Sequence, residues 1–224
     1  MAGGGLEALA SRFEQFNPEA LILKENRGGS RLYIYSRKET IGIGACLADT
    51  TVNSVGVGDV YDAIYLVNRE RGLSEAAWRA TWASSAYAQT TEPDTFFDSV
   101  RRTDILTYSE LEDLGGIHLP WDARPNLNIY LAAPDFGGAD TRQIERALSA
   151  LQYHNFNVRR PVKENGELPP GSELATLRNT YRKDLALLSA CDLVFAIPTN
   201  RDPGTLVEIG LAISMRIPVC VSCV

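Results

Sequence analysis

Residues 192–210 read DLVFAIPTNRDPGTLVEIG, and the acidic side chains in this stretch are spaced for chemistry. The apolar run 193–197 has the composition of a buried strand. A polar loop with Pro198, Pro203 and Gly204 follows, and then an apolar helix carrying one carboxylate, Glu208. A strand, a loop and a helix start in this order bring Asp202 and Glu208 near the C-terminal end of the strand. Open α/β sheets bind ligands at that edge. A half-buried carboxylate there is suited to nucleophilic attack. The same letters also encode helix capping: Thr205-x-x-Glu208 is a capping box, and Asp202-Pro203 is a cap followed by proline in the first turn. The two roles coexist readily at Asp202. They compete at Glu208, because a side chain bonded to its own cap cannot attack.

The elements that must position these groups lie in residues 127–224. Residues 128–132 read as a strand, 140–153 as a helix, 156–158 as a short strand, and KENGELPPGS (163–172) as a loop. A long helix is expected over 173–189 with Ser172 as its cap. The strand 192–197, the helix 205–215 and a closing strand 218–223 complete the run. Alternating strands and helices predict an α/β fold with a doubly wound, Rossmann-like parallel sheet. Residues 1–118 form a separate first segment. It begins with a helix at 6–16 and two short strands, 20–24 and 31–35. A glycine-rich loop at 53–59 leads into a helix over 60–71 that Gly72 ends, and Ser74 caps another running to residue 89. LPWDARPN, at 119–126, reads as an ordered, extended linker.

The 224-residue chain is 45% hydrophobic and 22% charged, ordinary for a globular protein. Its net charge of −6 disfavours a partner that is a nucleic acid polymer. No apolar run nears the ~20 residues that span a bilayer, so no membrane partner is expected. The N-terminus lacks the pattern of a secretory signal, which implies a cytoplasmic location. The four cysteines, Cys46, Cys191, Cys220 and Cys223, read as reduced thiols. Cys220 and Cys223 sit on the closing strand and read as core packing. The two histidines, His118 and His154, stand in unrelated contexts, and no metal-ligand spacing occurs.

The second segment resembles the nucleoside 2-deoxyribosyltransferase family and its nucleoside 5′-phosphate N-glycosidase relatives. The resemblance rests on YLAAPDF (130–136), the helix bearing Asp184, ACDLVFAI (190–197) and DPGTLVEIGLAISMRIPV (202–219). It implies a glutamate, Glu208, that attacks the anomeric carbon of a nucleoside, with Asp202 contacting the sugar or base. Tyr130, Phe136, Asp184 and Gly204 would be substrate-binding positions, Asp184 on the base side and the two aromatics lining the base pocket. The bond chemistry agrees, since a carboxylate can trap the oxocarbenium-like centre of glycosidic cleavage and a second acid can assist the leaving group. This chain has Ala133-Pro134 where the family has Gly-Pro. It also ends at Val224, where many members continue into an extension that reaches a neighbour's site. Cleavage is therefore expected ahead of transfer to a second base. The family also implies a homo-oligomer and no cofactor for the glycosidic step. Ser172, Arg142 and the loop after Pro134 are candidates to hold a 5′-phosphate.

The first segment resembles the C-terminal part of the PfkB (ribokinase-like) sugar and nucleoside kinases. The resemblance rests on NSVGVGD (53–59), followed by VYDAIYL and preceded by LILKENRGGSRLYIY. It implies that Gly56, Val57 and Gly58 offer backbone N–H groups to a phosphate at a helix start and that Asp59 is a base. ATP or another nucleotide would be the ligand of that loop. Asn53 and Val55 replace the usual Asp and hydroxyl residue, and the kinase's long N-terminal part with the sugar site is not represented. A partial ribokinase-like segment, either a remnant or a regulatory nucleotide site, is the expectation.

These readings converge on cleavage or transfer at the N-glycosidic bond of nucleosides or their 5′-monophosphates. The alternatives are a non-catalytic nucleotide-binding or regulatory module, a PfkB-type sugar or nucleoside kinase fragment, and NAD glycohydrolase chemistry.

Overall fold

The computed structural model describes residues 6–48, 50–135, 141–169 and 171–222. They fall into two compact units, Met1–Asp122 and Ala123–Val224.

Unit 1 starts with α1 (Leu6–Phe13), and then β1 (Ala20–Lys24), β2 (Ser30–Ile34) and β3 (Glu39–Ile43) form an antiparallel sheet in that order. Gly29 makes the β1–β2 turn possible. Its φ is +90°, and a Cβ there would lie 2.1 Å from the Ile43 carbonyl oxygen. Four helices follow: α2 (Val57–Asn68), α3 (Leu73–Ala88), α4 (Pro93–Asp104) and α5 (Tyr108–Asp113). The alanines of α3 allow close approach. Ala76, Ala77 and Ala80 are fully buried and pack with Leu32, Ile43, Tyr61 and Leu111 into one core. Buried Arg79 holds the end of α4, donating to the carbonyls of Thr103 and Leu106 at 2.7 Å each.

Unit 2 is an α/β sandwich. Its elements are β4 (Asn128–Ala132), α6 (Arg142–Tyr153), β5 (Asn157–Arg159), α7 (Pro161–Asn165), α8 (Leu174–Ser189), β6 (Leu193–Ala196), α9 (Pro203–Ser214) and β7 (Val219–Val221). The four strands are parallel in the order β5-β4-β6-β7. Strand order reverses between β4 and β6, the switch point where doubly wound sheets open a ligand crevice. Alternation along β4 feeds two cores. Tyr130 and Ala132 pack with Leu187, Leu188, Val194, Ala196 and Ala212, while Leu131 packs with Ile144 and Ile197. Apolar packing on both faces is what a parallel sheet requires.

Several local expectations need correction. The helix expected from residue 60 begins at Val57, because Gly56 takes a left-handed φ of +83° as its N-cap and lets Gly58 and Asp59 enter the first turn. Gly72, not Ser74, precedes α3, and Glu173, not Ser172, precedes α8; neither makes a side-chain cap. The Ser172 hydroxyl instead donates to the Pro169 carbonyl. The stretch expected as a loop contains the end of α7, which Pro161 starts at its first turn. Residues 121–126, expected to be extended, form a turn and a single 3₁₀ turn, Arg124–Asn126. Cys220, expected in the core, is exposed on β7, and Cys223 lies outside the described residues.

Candidate functional site

Two side chains from distant elements meet in unit 2. Tyr130, fully buried on β4, donates its hydroxyl to Glu208 Oε1 at 2.6 Å. Glu208 lies on α9 and is half-buried. The capping question resolves on geometry. Asp202 is the N-cap of α9, and its Oδ2 accepts from Thr205 N at 2.8 Å and from the Thr205 hydroxyl at 2.9 Å. Pro203 takes the first helical position. Thr205 is thus drawn to the Asp202 cap, and Glu208 is left to meet Tyr130.

A cavity of about 340 Å³ opens over this pair, bounded by Tyr181, Asp184, Leu188, Gly204 and Leu211 among others. Glycine at 204 fits the crowding there, since a Cβ would stand 3.1 Å from Asp202 Oδ2. Asp184 projects from α8, half-buried, and accepts from Asn165 Nδ2 at 2.7 Å. Burial drives the Glu208 carboxyl up to about 7, with Asp184 and Asp202 adding repulsion and the Tyr130 hydrogen bond pulling the other way. The Tyr130 phenol is itself pushed well above its ordinary range, first by burial and then by the Glu208 charge. It therefore remains a donor whenever Glu208 is ionised. The result is one carboxylate with a dedicated donor, facing an open cavity with a second carboxylate on the wall.

The structure thus gathers Tyr130, Asp184, Gly204 and Glu208 around one cavity. Asp202 sits at the helix start beside it and is not part of its wall. Phe136 lies outside the described residues. Of the phosphate candidates, Arg142 is exposed at the start of α6, Ser172 is turned to its own loop, and the loop after Pro134 is largely outside the described residues. Two features escaped the sequence reading. Asn165 bonds Asp184, and Arg160 clamps Asp135 with two hydrogen bonds of 2.8 Å and reaches Glu145 at 3.1 Å. The Arg159/Arg160 and Glu164 charges were a usable signal for ordered structure in what read as a loop.

In unit 1, Gly56, Val57, Gly58 and Asp59 stand at the start of α2, with Asp59 exposed. Val57 and Gly58 help line a cavity of about 490 Å³ that also meets Lys24, Ser30, Cys46, Thr81 and Ser85. Lys24 Nζ donates to Asp62 at 2.9 Å and to the Gly58 carbonyl at 3.3 Å. Among the described residues no group of three or more His, Cys, Asp or Glu is gathered as a metal site. No helix among them is long and apolar enough to cross a membrane.

No curated protein matches the chain. Among solved structures, a 2-deoxyribosyltransferase from the psychrotolerant bacterium Bacillus psychrosaccharolyticus is similar at 23% identity and a TM-score of 0.37, over 42% of this chain and 70% of that one. A nucleoside kinase of Methanocaldococcus jannaschii, an archaeal member of the ribokinase family, is similar at 20% identity and a TM-score of 0.32, over 43% of this chain; the chain spans 38% of that kinase's length. Residues 129–224, which contain the whole Tyr130–Glu208 site, match the nucleoside 2-deoxyribosyltransferase family.

Proposed function

We propose that unit 2 cleaves the N-glycosidic bond of nucleosides, deoxynucleosides or their 5′-monophosphates, with Glu208 as the nucleophile. The observation that carries this reading is the Tyr130–Glu208 hydrogen bond of 2.6 Å facing a cavity of about 340 Å³. A Glu208 oxygen forms a bond to C1′ as the C1′–N bond breaks. The electron pair leaves with the base, which takes up a proton from solvent; the water or acceptor base that attacks next gives one back to solvent. Water or a second base then attacks C1′ and returns the carboxylate, giving hydrolysis or transfer. Tyr130 holds the attacking carboxylate in orientation. Asp202 stands beside the cavity next to Pro203 and Gly204 of its wall; its Oδ1 accepts no hydrogen bond among the described residues, and a sugar hydroxyl reaching past Gly204 is its proposed partner. Asp184 takes the base side. The glycosidic step uses no cofactor in this scheme.

The test is base release. Deoxynucleosides, nucleoside monophosphates and NAD are incubated with the protein, with and without a free acceptor base, and products are separated by chromatography. Release is expected from at least one nucleoside or nucleotide and lost in Glu208→Gln. Release that persists in that variant removes Glu208 as nucleophile. Release from NAD alone points to NAD glycohydrolase chemistry, and release from no donor favours a binding module.

The cavity of unit 1 supports a second, separate reading as a nucleotide pocket. Val57 and Gly58 at the start of α2, Lys24 and Thr81 all line it, and Lys24 Nζ is held beside it by Asp62 and the Gly58 carbonyl. Calorimetric titration with ATP is expected to show binding. ATP-dependent phosphorylation of a sugar or nucleoside that is lost in Asp59→Ala would assign kinase activity to this unit instead.

A further inference from the structure

Asn165 is the last residue of α7, and Gly166, at φ +86°, turns the chain away immediately after it. The carboxamide reaches α8 and donates to Asp184 Oδ1 at 2.7 Å. The donor is itself well supported. Arg159 bonds Glu164 at 2.8 Å through Nε, holding α7 against the end of β5. Pro161 fixes the first turn. Asp184 lines the cavity that contains Glu208, and among the described residues its Oδ2 accepts no hydrogen bond. A carboxylate with one oxygen held by a donor leaves the other as its acceptor for a ligand. Such an acceptor in a half-buried pocket selects for an N–H donor and leaves a ligand without one unpaired.

We infer that Asn165 is a positioning residue that locks Asp184 as an oriented hydrogen-bond acceptor and thereby makes the site select bases that present an N–H edge. The inference rests on the proposed cleavage reaction and names the substrate class of that site. Donors bearing an amino group or an imide N–H are taken. A base whose ring offers only acceptors leaves the Asp184 oxygen desolvated and is rejected. Asn165 does not touch the reacting atoms. It acts through Asp184, so its loss moves selectivity and KM rather than bond breaking.

The discriminating pair of donors is 2′-deoxyadenosine and purine 2′-deoxyriboside, which differ only in the amino group. Base release is measured with wild type, Asn165→Ala, Asn165→Asp and Asn165→Gln. Wild type is expected to favour deoxyadenosine in kcat/KM by about ten- to hundredfold, the scale of a hydrogen bond to a charged group. Asn165→Ala is expected to reduce that preference at least fivefold, by raising KM for deoxyadenosine while kcat on the purine riboside stays within about twofold of wild type. Asn165→Asp, which sets a carboxylate against Asp184, is expected to reduce it further, and Asn165→Gln to restore part of it by returning the amide donor. Equal losses on both donors, with a lowered melting temperature, make Asn165 merely structural and overturn the inference. A preference unchanged in Asn165→Ala overturns it too. A wild type that releases base from both donors without discrimination overturns this inference while leaving the cleavage reading intact. A wild type that releases base from neither removes the cleavage reading, and the inference falls with it.

Discussion

The Tyr130→Phe variant tests the site most directly, because it removes one oxygen atom and one hydrogen bond. In the proposed reaction Glu208 attacks only as the carboxylate, so kcat/KM is expected to rise with pH through the value of its carboxyl in the free protein. That value is about 7, held up by burial and by the Asp184 and Asp202 charges and held down by the Tyr130 donor. A hydrogen bond to a charged group contributes about 1.5–3 kcal/mol. At 1.36 kcal/mol per pH unit, deleting it raises the carboxyl by about 1–2 units. The assay is base release followed from pH 5 to pH 10 in both proteins. Wild type should reach half its plateau near pH 7, and Tyr130→Phe near pH 8–9, about one to two units higher. At pH 7, where wild type is itself half ionised, the variant should be roughly five- to fiftyfold slower. Much of that deficit should vanish at alkaline pH, where its carboxyl is ionised again. An unshifted limb with a uniformly lower plateau would refute the reasoning, because Tyr130 would then act by packing alone. A limb moved to lower pH would refute it more severely.

Other substitutions probe the same electrostatics from different sides. Asp184→Asn removes a negative charge that raises the Glu208 carboxyl, so the limb of the same profile should move to lower pH. Glu208→Gln should abolish base release and yet stabilise unit 2 above neutrality. A carboxyl raised from 4.5 to about 7 on folding contributes stability below pH ~4.5 that is lost as pH rises through 7, a swing of about 3 kcal/mol. Glutamine has no such swing. The three tryptophans, Trp78, Trp82 and Trp121, all lie in unit 1, so hydrogen exchange at the β4 and β6 amides is the suitable measurement. It should show the variant gaining protection over wild type at pH 8 but not at pH 4. Asp202→Ala should cost about 1 kcal/mol through the lost cap. Asp202→Asn should recover that stability while base release stays low in both; activity that returns with stability would confine Asp202 to capping.

The sequence carried the frame of unit 2 well. β4 spans the residues its apolar run implied, and β6 and α9 lie within a few residues of expectation. Continuous Val/Ile/Leu/Ala runs bounded by Pro and Gly leave little choice there. Unit 1 was harder. β3 reads ETIGI, where an internal glycine weakens the strand signal, and α4 reads PDTFFDSVRRTD, with no residue in its core. The box Thr107-x-x-Glu110, which closes in the structure with bonds of 3.3 and 2.8 Å, was a legible start signal for α5. The carboxylates were legible as types but not as partners. Nothing local pairs Tyr130 with Glu208, which are 78 residues apart, or distinguishes Glu208 as capping from Glu208 as reacting. That distinction depends on Asp202 winning Thr205 N, a competition settled by loop geometry. Asn165 was hidden because the Gly and Pro residues after it make the whole stretch read as loop.

The parallel sheet has a consequence for how the molecule is assembled. In unit 1 the sheet closes through near neighbours, with Lys24 opposite Ser30 and Ile34 opposite Glu39. In unit 2, Ile129 must find Leu193, and the chain of α6, β5, α7 and α8 has to be threaded before it can. Closing so long a loop has an entropic cost before any contact offsets it, and such pairing is slow. Until β6 arrives, β4 exposes the segment NIYLA, apolar and uncharged, the kind of strand that recruits other chains. Refolding therefore runs as a race between β6 capture and aggregation, sensitive to protein concentration and temperature. The Tyr130–Glu208 contact also needs α9, which follows β6 in the chain, so its recovery is expected to trail capture of β6 and to be lost in every chain that aggregates first.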